Sequence, residues 1–193
     1  MTQLNDGRIS RRMFVLTGSG VAAGIVLRFR HGIDIVAAKA KTPKEVKIVE
    51  FSSAGQRGDT ITVPVTIKTD AEWKQQLSAA AYEVTRHEGT EKAYSGEYWN
   101  LHDKGLYHCI CCDTTLFNSD TKFESGTGWP SFWQPIAKEN VHESMDLSMG
   151  MERTAVACRR CEAHLGHVFE DGPKPTGLRY CMNSVALKFA KLT

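Results

Sequence analysis

The sequence lacks an uninterrupted apolar run of about 18 residues, the length that a membrane-spanning helix needs. It is also poor in cysteine, because six cysteines in 193 residues are too dilute for a small fold held together by disulfides. It contains no internal repeat and no low-complexity tract. Hydrophobic residues make up 41% and charged residues 24%, the balance of a soluble globular protein. We therefore expect one domain with an appendage, no stable membrane span, and a monomer.

Positive charge is missing from the body of the chain and is concentrated at its N-terminus. Residues 1–40 carry six basic and two acidic side chains, a net charge of +4. The remaining residues carry 18 basic and 20 acidic side chains, a net charge of −2. A surface that binds nucleic acid is basic, so we expect no nucleic-acid partner for the body.

Residues 1–40 have the features of an export signal. The pair Arg11 and Arg12 precedes a mildly apolar stretch over residues 13–27, and small residues around Ala40 offer a cleavage site. We interpret the segment as a twin-arginine signal and expect a periplasmic protein. If two further arginines after the apolar stretch prevent cleavage, the protein would stay anchored to the cell envelope. The alternative is a cytosolic amphipathic helix.

The remaining chain divides into an extension at 41–67 and a main domain at 68–193. β-branched residues alternate or run together over 46–51 and 61–67, which predicts two strands in the extension. These strands flank a polar turn region at 52–59.

The main domain begins with two short predicted helices and continues with strands. Thr69 or Asp70 can cap the first helix and Ser78 the second. After Gly89, residues that break regular structure recur at short intervals. Strands are predicted at 105–108, 123–125, 153–157 and 180–189.

Four cysteines are arranged as two pairs, Cys109 with Cys112 and Cys158 with Cys161. Two residues between thiolates let both sulfurs reach one tetrahedral metal ion, so we predict a structural zinc site with no open coordination position. The long intervening loop costs only about 0.8 kcal/mol more to close than that of a zinc ribbon. Disulfides or a redox dithiol are the alternatives. Cys111, inside the first pair, could be a substitute ligand, an inert thiol or a redox partner.

The sixth cysteine has polar neighbours at alternate positions. In a strand, Arg179, Cys181 and Asn183 share one face. A guanidinium beside a thiol lowers the pKa of that thiol and favours the nucleophilic thiolate, and an amide can orient a substrate. Cys181 is therefore a candidate nucleophile, and a buried structural cysteine is the alternative.

Two histidines and an aromatic loop complete the candidate site. His164 and His167 follow the second cysteine pair and could serve as general acids near neutral pH. Core histidines or ligands of a second metal are equally consistent with their positions. Residues 126–133 place three aromatic side chains, Trp129 among them, on a loop rich in glycine and proline. Such a loop can wall an apolar pocket or form a corner of the core.

Between about residues 68 and 189 the sequence closely resembles the B-type methionine sulfoxide reductases. The matching segments are dense and occur in one order, so the resemblance is specific, and it includes both cysteine pairs. It does not cover residues 1–45. The segments that carry it are Tyr82–Arg86, Gly89–Glu91, Ser95–Tyr98, Gly128–Phe132, His164–Phe169, Asp171–Pro173 and Arg179–Asn183.

The resemblance implies a fold and a reaction. The fold would be mainly β, with coiled antiparallel sheets forming a partly open barrel, short N-terminal helices and structural zinc on four cysteines. The reaction would be reduction of the R epimer of methionine sulfoxide in oxidised proteins or peptides. A thioredoxin-like protein or a small thiol would be the reductant.

The resemblance also assigns roles at the site. Cys181 would attack the sulfoxide sulfur as a thiolate and become a sulfenic acid. His164 or His167 would supply a proton to the sulfoxide oxygen, and Trp129 would pack against the methyl group of the substrate. The other residues implied beside the nucleophile or near the site are Arg179, Asn183, Phe169 and Asp171.

One departure from the family concerns recycling of the enzyme. Many members carry a resolving cysteine just before the Gly-Trp-Pro-Ser-Phe run, whereas this sequence has Thr127 there. An external thiol would then reduce the sulfenic acid directly, or Cys111 would substitute.

Two other classes of function fit part of the pattern. A non-catalytic zinc-knuckle binding module could use the aromatic loop as a contact surface, but it would not need Cys181 between Arg179 and Asn183. A dithiol oxidoreductase would use the cysteine pairs without metal.

Overall fold

Antiparallel strands make up most of the regular secondary structure in the part of the chain that the structure describes. The structure is a computed structural model that describes residues 44–150 and 152–193, so the predicted signal at 1–40 lies outside the described residues. Within the described residues there are eleven strands. They are β1 (Glu45–Phe51), β2 (Arg57–Pro64), β3 (Gly105–Cys109), β4 (Thr115–Asn118), β5 (Lys122–Phe123), β6 (Ser131–Phe132), β7 (Val141–Asp146), β8 (Arg153–Cys158), β9 (His164–Phe169), β10 (Arg179–Met182) and β11 (Leu187–Lys191).

The helices are few and short. They are α1 (Asp70–Gln76), α2 (Ala79–His87) and the 3-10 turns Ser119–Thr121, Lys138–Asn140, Ser148–Gly150 and Ser184–Ala186. In the part of the chain that the structure describes, none of the helices has the length and hydrophobicity to cross a membrane.

The strands form three antiparallel sheets, which confirms the mainly-β prediction. The first is the hairpin of β1 and β2, and the second has six strands in the order β5-β6-β10-β9-β8-β7. The third has three strands in the order β11-β3-β4. The six-stranded sheet places β10, which carries Cys181, between β6 and β9.

The hairpin differs from its prediction at the second strand. β2 starts at Arg57, inside the predicted turn, and ends at Pro64 rather than at Ile67. After Pro64, the backbone N–H of Val65 still donates to the carbonyl of Lys44, and that of Thr66 donates to the carbonyl of Arg160, in the second cysteine pair. The extension is therefore attached to the main domain close to the cysteine cluster.

Both helices begin where their capping residues predict. Thr69 and Glu72 form a capping box, in which the backbone N–H of each donates to the side chain of the other. The Ser78 hydroxyl accepts the N–H of Ala81 at the start of α2. Arg86 of α2 then donates to the carbonyl of Cys161, which ties the helix to the second cysteine pair.

The prediction of one long strand at 180–189 is wrong. The chain forms β10 and β11 in two different sheets, with the turn Ser184–Ala186 between them. The carboxylate of Glu91 causes the break, since it accepts the backbone N–H groups of Ser184 and Val185 that a continuous strand would have paired in a ladder. Cys181 consequently lies one residue before the end of β10, close to the point where the chain leaves the six-stranded sheet.

Stacked aromatic rings join the two larger sheets. Phe132 of β6 stacks on Phe117 of β4 at 4.4 Å between ring centroids, and it meets Tyr107 of β3 edge-on at 5.0 Å. All three are fully buried. Aromatic contacts in these geometries stabilise the fold beyond the burial of the rings themselves. They therefore hold the six-stranded sheet, which carries Cys181, against the three-stranded sheet.

Candidate functional site

The four paired cysteines converge on one point. Their Sγ atoms all lie within 4.8 Å of one another. The Sγ atoms of Cys109 and Cys161 are 3.6 Å apart, and those of Cys112 and Cys158 are 3.5 Å apart. Sulfurs at about 2.3 Å from a tetrahedral zinc ion would be about 3.8 Å apart, so the cluster has the size of a metal site.

The two cysteine pairs adopt the same backbone conformation. In the first, the N–H of Asp113 donates to the carbonyl of Cys109 at 2.9 Å, and in the second Glu162 donates to Cys158 at 2.9 Å. Asp113 and Glu162 both have left-handed φ, at 63° and 57°. Hydrogen bonds with the other thiols raise the pKa of Cys109, and burial adds to this effect. A metal ion bound to the four sulfurs would take them up as thiolates. The donor set fits a metal ion.

Cys111 does not belong to this cluster of ligands. It is buried, and its carbonyl accepts the side-chain amide of Gln76 at 2.7 Å. It does not line the cavity that contains Cys181, and neither does any other second cysteine among the described residues. The structure therefore keeps Cys111 on the knuckle and away from the candidate nucleophile.

Cys181 opens into a small cavity of about 140 Å³. Across the sheet it pairs with Ser131 of β6 and with His167 of β9. A larger groove of about 630 Å³ lies between the hairpin and the first cysteine pair, but no cysteine lines it. The cavity beside Cys181 is lined by Thr90, Trp129, Arg153, Gly166, His167, Phe169, Cys181, Met182 and Asn183.

A β-bulge brings the two candidate histidines together. In a regular strand His164 and His167, three residues apart, would point to opposite faces. Leu165 is left out of the register between β8 and β9, and the extra residue brings the two rings to 5.2 Å between centroids. A Cβ at Gly166 would lie 2.1 Å from the carbonyl oxygen of Cys181, so only glycine permits this close approach of β9 to β10.

The two histidines have different surroundings. Nε2 of His167 lies 2.7 Å from Oδ2 of Asp146, which also accepts from Arg153 at 2.8 Å. Hydrogen bonds from Ser148 and then from His167 hold the pKa of Asp146 well below its usual range, so the carboxylate is ionised. Burial and the neighbouring His167 lower the pKa of His164 to about 4, and its Nε2 is buried without a hydrogen-bond partner. His164 is therefore uncharged at neutral pH.

Arg179 is fixed in place by two neighbours. Its guanidinium makes two 2.8 Å hydrogen bonds to the carboxylate of Asp171 and lies 4.4 Å from the centre of the Phe169 ring. Arg179 pairs with Phe169 across the sheet and lies on the same side of β10 as Cys181. The positive charge of Arg179 is thus held near the thiol, but the carboxylate of Asp171 partly compensates it.

Burial decides the acidity of Cys181. Loss of solvation raises the pKa of the thiol above its ordinary value of 9.0. Arg179 lowers this pKa, as the sequence pattern predicts, and so do Thr127 and Ser131, but their combined effect is smaller than that of burial. Without substrate, the protonated thiol is therefore favoured over the thiolate at neutral pH.

Glu91 connects two side chains that line the cavity, Trp129 and Asn183. The indole N–H of Trp129 donates to the backbone carbonyl of Glu91 at 3.1 Å. The backbone N–H of Glu91 donates to the side-chain amide oxygen of Asn183 at 2.9 Å. The amide nitrogen of Asn183 donates to Leu165 at 3.0 Å. Both polar groups of Asn183 are thereby used to hold the cavity wall.

The structure thus brings Cys181 together with most of the predicted site residues and adds three that sequence reasoning missed. Asp146, Arg153 and Ser131 lie on β7, β8 and β6, which are distant from Cys181 in sequence. Ser131 lies within the matching segment Gly128–Phe132 but was given no role there, and no local motif marks Asp146 or Arg153. The only available signal was that polar residues occur at the ends of neighbouring strands.

Comparison with known proteins places the chain among named relatives. The SelR domain family matches residues 77–191. The peptide methionine sulfoxide reductase MsrB of Herminiimonas arsenicoxydans is 57% identical over 123 residues, which cover 64% of this chain and 90% of the relative. The chloroplastic peptide methionine sulfoxide reductase B1 of Oryza sativa subsp. japonica is 58% identical over 127 residues, covering 65% of this chain and 59% of the relative. MsrB of Hahella chejuensis is 53% identical over 122 residues, covering 63% and 88%.

The raised pKa of Cys181 predicts how its reactivity depends on pH. Because only the thiolate reacts, alkylation of Cys181 by iodoacetamide should accelerate as pH rises, with a midpoint above pH 9. Replacing Arg179 by Met should move the midpoint higher still, since a cation that lowers the pKa is removed. Peptide mass spectrometry would follow Cys181 separately from the other thiols. A midpoint below pH 8 in the unsubstituted protein would contradict the dominance of burial.

Proposed function

This chain belongs to the SelR-domain family of B-type peptide methionine sulfoxide reductases, and we propose that it reduces methionine R-sulfoxide by attack of Cys181. The observation that carries the proposal is the cavity in which Cys181 and His167 pair across the sheet beneath Trp129. A thiol, a proton-carrying imidazole and an aromatic wall are the groups that this reaction needs. The reacting sulfoxides would be those of oxidised proteins or peptides.

In the first step the Cys181 thiolate attacks the sulfoxide sulfur and the oxygen passes to the enzyme. The S–O bond of the substrate breaks, methionine leaves, and Cys181 becomes a sulfenic acid. The enzyme sulfur is oxidised by two electrons and the substrate sulfur is reduced by two. The ring of Trp129 packs against the substrate methyl group, and its indole N–H is already bonded to Glu91.

His167, rather than His164, supplies the proton to the sulfoxide oxygen. It lines the cavity, and its Nε2 is hydrogen-bonded to the ionised carboxylate of Asp146, which holds the ring in place. His164 has no such carboxylate partner, and its pKa of about 4 leaves it uncharged. Its role is to pack against His167 and hold the orientation of that ring.

The second step returns the sulfenic acid to a thiol at the expense of an external thiol reductant. Thr127, at the position where many family members have a resolving cysteine, faces Cys181 with a hydroxyl that cannot form a disulfide. Cys111 is buried on the first cysteine pair and is outside the cavity. A thioredoxin-like protein or a small thiol therefore reduces the enzyme directly.

Zinc is the metal of the four-cysteine cluster, and its role is structural. Four thiolates complete a tetrahedral shell and leave no position for substrate, so the ion would cross-link the chain and take no part in the reaction. The ligands are Cys109, Cys112, Cys158 and Cys161.

The N-terminal segment directs the protein to the periplasm by the twin-arginine pathway. The support is the sequence alone, with Arg11 and Arg12 before the apolar stretch at 13–27. This pathway carries folded proteins, so the cluster could bind zinc before it meets disulfide-forming enzymes. The function would then be repair of oxidised proteins in the cell envelope.

The reaction is tested by an assay of the purified chain with dithiothreitol and the separated epimers of a blocked methionine sulfoxide. We expect turnover of the R epimer alone, and its complete loss in Cys181→Ser because a hydroxyl is a far weaker nucleophile. The matched control is Cys111→Ser, which should retain turnover. Equal activity on both epimers, or activity in Cys181→Ser, would refute the proposal.

Removal of the metal should weaken the fold. We expect one zinc per chain by elemental analysis, and a loss of about 4 kcal/mol of stability in Cys158→Ser, which lowers the melting temperature by about 10 °C. Cys111→Ser should keep both its zinc and its melting temperature. A metal-free protein that melts at the same temperature would show that the cluster does not need an ion.

Export is tested by fractionation of a bacterial host that has the twin-arginine pathway. A C-terminally tagged chain should appear in the periplasm, and the double substitution Arg11→Lys and Arg12→Lys should retain it in the cytoplasm. Detection of the unsubstituted protein only in the cytoplasm would defeat the export proposal.

A further inference from the structure

The hydroxyl of Thr127 is held beside the sulfur of Cys181. Its Oγ1 lies 4.0 Å from Sγ. The loop that carries it turns at Gly126 and Gly128, which have left-handed φ of 70° and 87°. A Cβ at Gly128 would lie 2.8 Å from Tyr94, so the loop is packed closely against that residue. The position of Thr127 is therefore set by the backbone and is not that of a freely moving side chain.

A chain of hydroxyl groups determines where the Thr127 proton points. Ser125 Oγ lies 2.8 Å from both Ser131 Oγ and Thr127 Oγ1. Ser131 donates to Ser125 at 2.8 Å, a shorter contact than its 3.2 Å contact to the carbonyl of Trp129, so the proton of Ser125 goes to Thr127. Ser125 Oγ also accepts the backbone N–H of Thr127 at 3.4 Å. Thr127 Oγ1 therefore accepts the Ser125 proton, which leaves the hydroxyl proton of Thr127 to point to Cys181.

The distance between the two side chains matches an oxygen atom placed between them. At 4.0 Å the contact between Sγ and Oγ1 is long for a hydrogen bond to a thiol. A sulfenic oxygen about 1.7 Å from Sγ and about 2.7 Å from Oγ1, bent by about 130° at that oxygen, spans this distance. A strong hydrogen bond from Thr127 to the reduced thiol would instead require the distance between Oγ1 and Sγ to shorten.

We propose that Thr127 is a catalytic residue of the recycling step, in which its hydroxyl binds the oxygen of the Cys181 sulfenic acid. An external thiolate attacks Sγ, an S–S bond forms, and the S–O bond breaks. The oxygen leaves as water after it takes up a proton, and the hydrogen bond from Thr127 stabilises its developing negative charge. A second thiol then reduces the mixed disulfide, which releases a disulfide and the Cys181 thiol.

This inference rests on the proposed function and is tested by separating the two half-reactions in the full chain. The enzyme is first mixed with excess blocked methionine R-sulfoxide in the absence of reductant, and methionine formation is timed. The oxidised enzyme is then freed of substrate and mixed with dithiothreitol, and the remaining sulfenic acid is trapped with dimedone at intervals. The variants are Thr127→Val, which keeps the shape, and Thr127→Ser, which keeps the hydroxyl.

We expect Thr127→Val to slow reduction by dithiothreitol about tenfold, while methionine formation changes by less than about threefold. Thr127→Ser should restore the recycling rate to within about threefold of the unsubstituted enzyme. Thr62→Val, an exposed threonine of the hairpin, is the matched control and should change neither rate. If Thr127 had only a structural role, Thr127→Val would slow both half-reactions, and Thr127→Ser would not selectively restore the recycling rate.

Two results would overturn the proposal. One is an unchanged rate of reduction in Thr127→Val. The other is an oxidised enzyme whose mass shows the loss of two hydrogens instead of the gain of one oxygen, since that marks an internal disulfide. Failure to form methionine in the first half-reaction would instead refute the proposed function itself.

Discussion

The convergence of four thiol groups is the constraint on which the rest of the site depends. Cys109 ends β3 of the three-stranded sheet and Cys158 ends β8 of the six-stranded sheet, so the cluster joins the two sheets at their ends. β9 begins at His164, three residues after Cys161. The cluster thus sets the start of the strand that carries both histidines, and that strand pairs with the one that carries Cys181.

Two opposing physical effects set the acidity of Cys181, the proposed nucleophile. Burial excludes water from Cys181 and raises the pKa of its thiol, whereas Arg179 and two hydroxyl groups favour the thiolate. Burial has the larger effect in the free enzyme. The protonated thiol is therefore favoured in the free enzyme, and in the proposed reaction the thiolate would form only once a sulfoxide enters the cavity beside His167. Such a thiol would be protected from unselective oxidation while the cavity is empty.

Local patterns in the sequence predicted the parts of the fold that depend on local interactions. The capping residues Thr69 and Ser78 mark both helix starts, because each cap is a contact between residues three apart. The spacing of Cys109 and Cys112 predicted a knuckle for the same reason. The strand prediction at 180–189 failed because the groups that break it belong to Glu91, about ninety residues earlier in the chain.

The sequence by itself determined the chemistry of the protein: a thiol with polar neighbours, two imidazoles, an aromatic loop and four metal ligands. Only the tertiary structure decided how these groups act. It places His167, and not His164, against Asp146, which is on a different strand, and through burial it reverses the net effect on the pKa of Cys181. Side-chain chemistry and short-range spacing are properties of the chain alone. A bulge, a strand register and exclusion from water exist only when distant segments pack together.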